Sequence, residues 1–191
     1  MDIIPRDEAI GLFDLGRIGK SPARFDGDKL RDVNAYFIKT MDDAALYELI
    51  VAALPQLGNA PTSSAAKSRI ITLLPMLKER AKTHLDIAGS IGYLLDDGAV
   101  DIDADAAELL TDDAKAILRD LDMSLATASW DLDGLKAAIN AYLAEKGLKM
   151  RDIGLPLRAA VTGMKQTPSI IDIMVALGQS ETSVRLQIAC K

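Results

Sequence analysis

The sequence is poor in the residue types that most often carry chemistry: among 191 residues there is one cysteine, one histidine and one tryptophan, and aromatics make up 4%. Cys190 has no partner for an internal disulfide, so a reducing, cytoplasmic location is expected. One His and one Cys leave no zinc-ligand set. Few aromatics beside frequent Ala and Leu speak for packed helices, because strands favour β-branched and aromatic side chains. No apolar run approaches the roughly 20 residues that a bilayer span needs. The opening MDIIPRDEA lacks the basic and apolar regions of a signal peptide. Neither a repeat nor a nucleophile beside a base is visible, which argues against a self-contained enzyme.

Two stretches imitate ligand sites and lack what those sites require. Gly19-Lys20-Ser21 looks like the end of a phosphate-binding loop, but Asp14 stands where that motif needs its first Gly, and Pro22 blocks the helix that should follow. The acidic run Asp101, Asp103, Asp105 lacks the Gly of a calcium loop. No metal or cofactor is therefore expected in this chain.

What is present is a succession of capped amphipathic helices. Residues 7–14 read as a short helix carrying Ile10, Leu12 and Phe13. Asp26 caps a second, with Leu30, Val33, Phe37 and also Asn34 inward and Lys29 and Arg31 outward. Asp42 or Asp43 opens a third through Leu46, Leu49, Ile50, Ala53 and Leu54, ended by Pro55. The stretch Gly58-Asn59-Ala60-Pro61-Thr62 reads as a linker. Ser63 or Ser64 caps the next helix. Thr83 with Asp86 makes a capping box that starts another at His84, leaving Arg80 and Lys82 in the turn between them. His84 reads as a surface residue. Thr111 caps a helix through Ile117, Leu118 and Leu121. Trp130, read as a packing staple, precedes a longer helix that Gly147 stops.

The stretch from Leu155 to Leu177 holds two helices and a polar hinge. The first carries Leu157, Ala160 and Val161 inward and Arg158 outward, and ends at Gly163. Thr167 stands at the N-cap position and Pro168 at the first helical position of the second, which buries Ile170, Ile171, Met174 and Leu177. A helix from Glu181 to Ile188 folds back over this pair.

The net charge is −6, with 28 acidic residues against 22 basic ones, which argues against a non-specific nucleic-acid coat. The charge is not evenly spread. Acidic residues gather between Asp96 and Asp113. Basic ones form two groups: Lys67, Arg69, Lys78, Arg80 and Lys82, then Lys146, Lys149, Arg151, Arg158 and Lys165. Two basic groups separated by an acidic face fit an oriented polyanionic partner.

The run PLRAAVTGMKQTPSIIDIMVALG closely resembles the C-terminal end of bacterial glutamyl-tRNA synthetases. IGKSPARFDGDKLRDVNAYFI resembles the segment just beyond that family's catalytic half, and LLPMLKERAKTHLDIAGSIGYLL resembles its middle anticodon-binding helices. The three blocks come in family order and span nearly the whole chain. The resemblance implies an all-α fold: residues 1–42 as the end of the stem-contact domain, then two stacked helical anticodon-binding subdomains at 43–102 and 103–191.

It also implies a partner, the anticodon arm of glutamate tRNA. Arg80 would read the third anticodon base, while Arg158, Thr167, Pro168 and Ile170 would surround the first. Lys29, Lys82 and Lys165 would meet the RNA backbone, with Lys67, Lys78 and Lys149 as further candidates for phosphate contact. An aromatic that the family carries just beyond the Lys29 position is matched here by Asp32. The family's HIGH-like and KMSKS-like signatures, which serve ATP and Mg, are absent. The chain is thus expected to be a C-terminal portion of a monomeric synthetase, beginning at an introduced Met1, without catalysis of its own and partnered by its catalytic half. The alternative is a helical protein–protein interaction module that kept the fold and lost the RNA. That alternative would be favoured if Arg80, Lys82 and Arg158 fell on different faces or were buried in salt bridges.

Overall fold

Short polar side chains start the helices by filling the orphan N–H groups of each first turn. In the computed structural model, which describes residues 3–19, 24–59 and 63–191, the described residues form eleven α-helices, three short 3-10 turns and no strand. The helices are α1 (Arg6–Leu12), α2 (Gly27–Thr40), α3 (Asp43–Ala53), α4 (Ser64–Arg80), α5 (His84–Ser90), α6 (Ala104–Ala107), α7 (Asp112–Leu125), α8 (Leu132–Lys146), α9 (Met150–Thr162), α10 (Ile170–Leu177) and α11 (Gln179–Ala189). Asp26, Asp42, Ser63, Thr83, Thr111 and Asp131 each accept a backbone N–H at a helix start. The capping box is complete: the Asp86 carboxylate accepts from Thr83 N at 2.9 Å while the Thr83 hydroxyl accepts from Asp86 N at 3.1 Å. The Lys20-Ser21-Pro22 part of the phosphate-loop imitation and the Ala60-Pro61-Thr62 part of the linker lie outside the described residues.

Apolar spacing then packs the helices. α3 lies on α4 and α5; α7, α8, α9 and α11 pack among themselves; α10 touches α4 as well as α8, α9 and α11. One core cluster accordingly runs without a break from Ile38 and Leu46 to Leu186 and Cys190. Trp130 staples α10 to the loop before α8, its indole N–H donating to the Met174 carbonyl at 3.0 Å. Among the described residues no helix is long and apolar enough to cross a membrane.

The N-terminal part departs from the expected packing. Leu30 and Phe37 of α2 are 53% and 45% exposed, and Ile38 is the residue of that helix that is buried. The reason is the way α2 is anchored, along the side that faces α4 and the turn after it. Asn34 donates to the Lys82 carbonyl at 2.5 Å, Lys39 pairs with Glu79 and Asp32 with Lys82, both at 2.7 Å. Leu30 and Phe37 point elsewhere. Ile10, Leu12 and Phe13 of the α1 region are exposed too.

The 155–177 stretch departs in three details. Its first helix begins earlier, at Met150, and runs through Pro156, which gives the carbonyl four residues back no N–H and crowds it with its ring. Its second helix is capped by Ser169, whose hydroxyl accepts from Asp172 N, so Thr167 and Pro168 stay in the turn. That shift moves the buried face to Ile170, Ile173, Met174 and Leu177, leaving Ile171 partly buried.

Candidate nucleic-acid interface

Because Thr167 does not cap a helix, its polar atoms are available to side chains, and two arginines take them. α4 ends at Arg80, whose Nη1 donates to the Thr167 carbonyl at 3.1 Å. α9 carries Arg158, whose Nε donates to the Thr167 hydroxyl at 2.9 Å. That hydroxyl in turn donates to the Pro168 carbonyl at 3.1 Å. Two basic residues from the two separate groups in the sequence therefore meet at one threonine. Neither has a carboxylate partner among the described residues. Burial, and then the neighbouring Arg80 charge, lowers the pKa of the Arg158 guanidinium from its ordinary value. An anionic group brought here would offset both effects by favouring the charged guanidinium.

Beside the pair lies a cavity of about 230 Å³. Leu77, Ala81, Ile87 and Pro168 give it apolar surface; Arg80, Ser90, Gln166 and Thr167 give it polar groups. Asp86 also borders it, but its Oδ2 already accepts from the N–H groups of Lys82 and Thr83. Cofactor and drug-sized pockets run to roughly 300–1,000 Å³. This one suits a single planar group, with apolar surface for its face and donors for its edges. An unstacked RNA base has that shape and chemistry, and an arginine fork reads its edge through paired hydrogen bonds.

The other expected site residues are distributed unevenly. Thr167 is 9% exposed, and Ile170, at 3%, belongs to the core beneath the turn. Pro168 is buried but contributes to the cavity wall. Lys165 is exposed in the same turn, Lys82 is exposed two residues past the end of α4 and paired with Asp32, and Lys29 is exposed on α2. The wider basic groups largely dissolve into structure. Lys78 is 8% exposed and committed to Asp43 and the Met41 carbonyl, and Arg69 pairs with Asp97 at 2.5 Å. Lys67 lies over the Tyr47 ring and Lys146 pairs with Asp120. Sequence reasoning missed the cavity itself. Its signal was present in Leu77 and Ala81, one helical turn apart at the end of α4 and facing the capping box.

A family model described as an anticodon binding domain matches residues 45–190. The chain belongs to the anticodon-binding domain family. Curated relatives of this anticodon-binding domain include glutamate–tRNA ligase 2 of Brucella ovis and glutamate–tRNA ligase 1 of Brucella melitensis, each 34% identical over 97% of the chain. The chain spans about two fifths of the length of these relatives, 40% in each case. Solved structures of the same fold are a glutamate tRNA ligase from Elizabethkingia meningosepticum in complex with its amino acid and a glutamate-tRNA synthetase from Elizabethkingia anophelis. Their TM-scores are 0.81 and 0.77 at 23% identity; both alignments cover 96% of this chain, and 36% and 35% of theirs. The all-α architecture and the resemblance to glutamyl-tRNA synthetases are thereby established, with the helical anticodon-binding fold that the resemblance implied.

Proposed function

We propose that this chain recognises the anticodon arm of glutamate tRNA, as the RNA-reading portion of a synthetase that ligates glutamate to that tRNA. The observation that carries the reading is the convergence of Arg80 and Arg158 on Thr167, beside a base-sized cavity and with no ion pair to either guanidinium among the described residues. An interaction module that had lost its RNA would have no use for two uncompensated guanidiniums at one point. Arg80 is assigned to the third anticodon base and Arg158, with the Thr167–Pro168 turn, to the first; Ile170 supports that turn from below. Lys29, Lys82 and Lys165 serve phosphates. The net charge of −6 is compatible with this, because residues 96–113 carry eight acidic residues and no basic one, and the arginine pair lies elsewhere.

In the parent, ATP, Mg and the ligation itself belong to the catalytic half, which we take as this chain's second partner. What supports that partner is the length by which the relatives exceed the match, together with the exposed Ile10, Phe13, Leu30 and Phe37 of the N-terminal helices. The division at residues 42 and 102 and a cytoplasmic, monomeric parent belong to the same proposal. The test is binding of the chain to glutamate tRNA and to a transcript altered only at the third anticodon base, at low and moderate salt. Selective binding that Arg80→Ala abolishes supports the reading; equal binding of both transcripts at every salt concentration overturns it.

A further inference from the structure

Behind the arginine pair sits a third arginine that nothing in the anticodon reading uses. Arg185 of α11 is 1% exposed, and four of its five N–H groups are spent. Its Nε donates to Glu181 at 2.6 Å. Its Nη1 donates to the carbonyls of Tyr93 at 2.8 Å and Val161 at 2.9 Å, and Nη2 to the carbonyl of Asp96 at 2.8 Å. Glu181 in turn accepts from Gly98 N at 2.8 Å.

These acceptors come from two places far apart in the sequence. Tyr93 and Asp96 follow α5, the helix whose Asp86, Ile87 and Ser90 border the cavity. Val161 lies in the last turn of α9, just before the 163–169 turn that presents Thr167 to Arg80 and Arg158. A lone hydrophobic contact would let these two segments slide. One planar cation gripping three carbonyls from both of them does not, since any slip strands a buried charge. Among the described residues the one carboxylate that pairs with Arg185 is Glu181, four residues back on the same helix, so the charge is balanced from within α11 and the carbonyls are left to fix geometry.

We infer that Arg185 is a positioning residue: it pins the last turn of α9 to the segment after α5 and so sets the spacing between the Arg80 turn and the Thr167 turn. Its consequence for RNA rests on the anticodon reading; the pin does not.

The test therefore has two arms. Spin labels at the exposed positions Glu48 of α3 and Lys136 of α8 report the distance between the two helical groups in the full chain, with the buried Cys190 left in place. The parent should give one narrow distance distribution. Arg185→Met, and Arg185→Lys, which keeps the charge but not the planar fork, should both broaden or shift it while helical circular dichroism persists. If Arg185→Met fails to fold, Arg185→Lys alone decides. An unchanged distribution in a folded variant overturns the inference, whatever the loss of thermal stability.

In the second arm, dissociation constants are measured for glutamate tRNA and for transcripts altered at the first or the third anticodon base. Misplacing one turn should reduce third-base discrimination by about twofold to thirtyfold, the range over which residues linking two sites modulate their coupling. Simple destabilisation well below the melting temperature leaves such ratios untouched. Discrimination ratios equal to the parent's overturn the consequence for RNA, that Arg185 sets the spacing on which base reading depends. A parent that binds no tRNA counts against the anticodon reading alone, and the distance arm still decides the pin.

Discussion

Arg80 and Arg158 are joined through one residue: the first donates to the carbonyl of Thr167 at 3.1 Å and the second to its hydroxyl at 2.9 Å. Because both hold the same turn, their contributions to RNA binding should not be independent. Each alanine variant is expected to weaken binding of the cognate tRNA by about 1–3 kcal/mol, the worth of an arginine fork on a base edge. The double variant should lose less than the sum, since the first removal already loosens Thr167 for the second. Titrations of the four proteins against one transcript give the coupling directly, and strict additivity would show that the two arginines work apart.

Lys82 and Lys78 separate charge that serves a partner from charge that serves the fold. Lys82 is about half exposed and paired with an equally exposed Asp32, so its removal should change stability by well under about 1 kcal/mol. If it meets phosphate, Lys82→Ala should also flatten the salt dependence of tRNA binding by about one unit of slope. Lys78 is buried against Asp43 and the Met41 carbonyl. Lys78→Met should leave that slope unchanged, because this lysine is not presented to solvent. Parallel salt titrations and thermal melts distinguish the two; a slope change in Lys78→Met would contradict the assignment.

How much of this was legible in the sequence depended on how local the cause was. Asp26, Ser63, Thr83, Thr111 and Asp131 act on N–H groups two or three residues away, so the caps could be read from adjacent letters. Thr167 was read as a cap by the same rule, yet Ser169 competes for that role two residues later. What decides between them is the arrival of two arginines from α4 and α9, which no local rule contains. The inward face of α2 failed for a related reason. Periodicity identifies an apolar stripe at Leu30 and Phe37, but the side that packs is chosen by the anchors Asn34 and Lys39. Arg80 and Arg158 were legible as members of two basic groups, their assignment to particular bases came only through the resemblance, and their meeting point was not legible at all.

Gly163 should prove among the least replaceable residues. It takes φ of +73° at the end of α9, and a Cβ built there would lie 1.9 Å from the carbonyl oxygen of Asp101. The close approach is held by the Asp103 N–H, which donates to the Gly163 carbonyl at 2.9 Å. Gly58 offers an internal comparison: its φ is +79°, but a Cβ would meet open space. Gly58→Ala should therefore cost only the left-handed strain of about 1–2 kcal/mol. Gly163→Ala adds a backbone collision and should lower the melting temperature by several degrees more. Similar melting temperatures for the two variants would mean that the 101–103 segment yields easily.

Tyr142 gives the fold an alkaline limit. Its single O–H is shared between two acceptors, the Ile117 carbonyl at 3.1 Å and the Asp120 carboxylate at 3.2 Å, tying α8 to α7. Burial, then the charge of Asp120, pushes its pKa from 10.0 up to about 12. A phenol whose pKa is higher in the folded chain than in the unfolded one favours folding fully below the unfolded value, and the benefit is lost as pH rises through the folded value. Stability should hold to about pH 10 and fall between about 10 and 12. Tyr93, buried with a hydroxyl that has no partner among the described residues and likewise raised by burial, acts in the same direction and steepens the fall. Tyr142→Phe should be less stable at neutral pH through the lost hydrogen bonds, yet show a shallower decline above pH 10. Tyr93→Phe should flatten the decline too, but without the neutral-pH loss, because its hydroxyl has no partner to give up. Urea melts at pH 8, 10 and 11.5 on the three proteins measure both slopes, and identical slopes in all of them would remove the tyrosines as the cause.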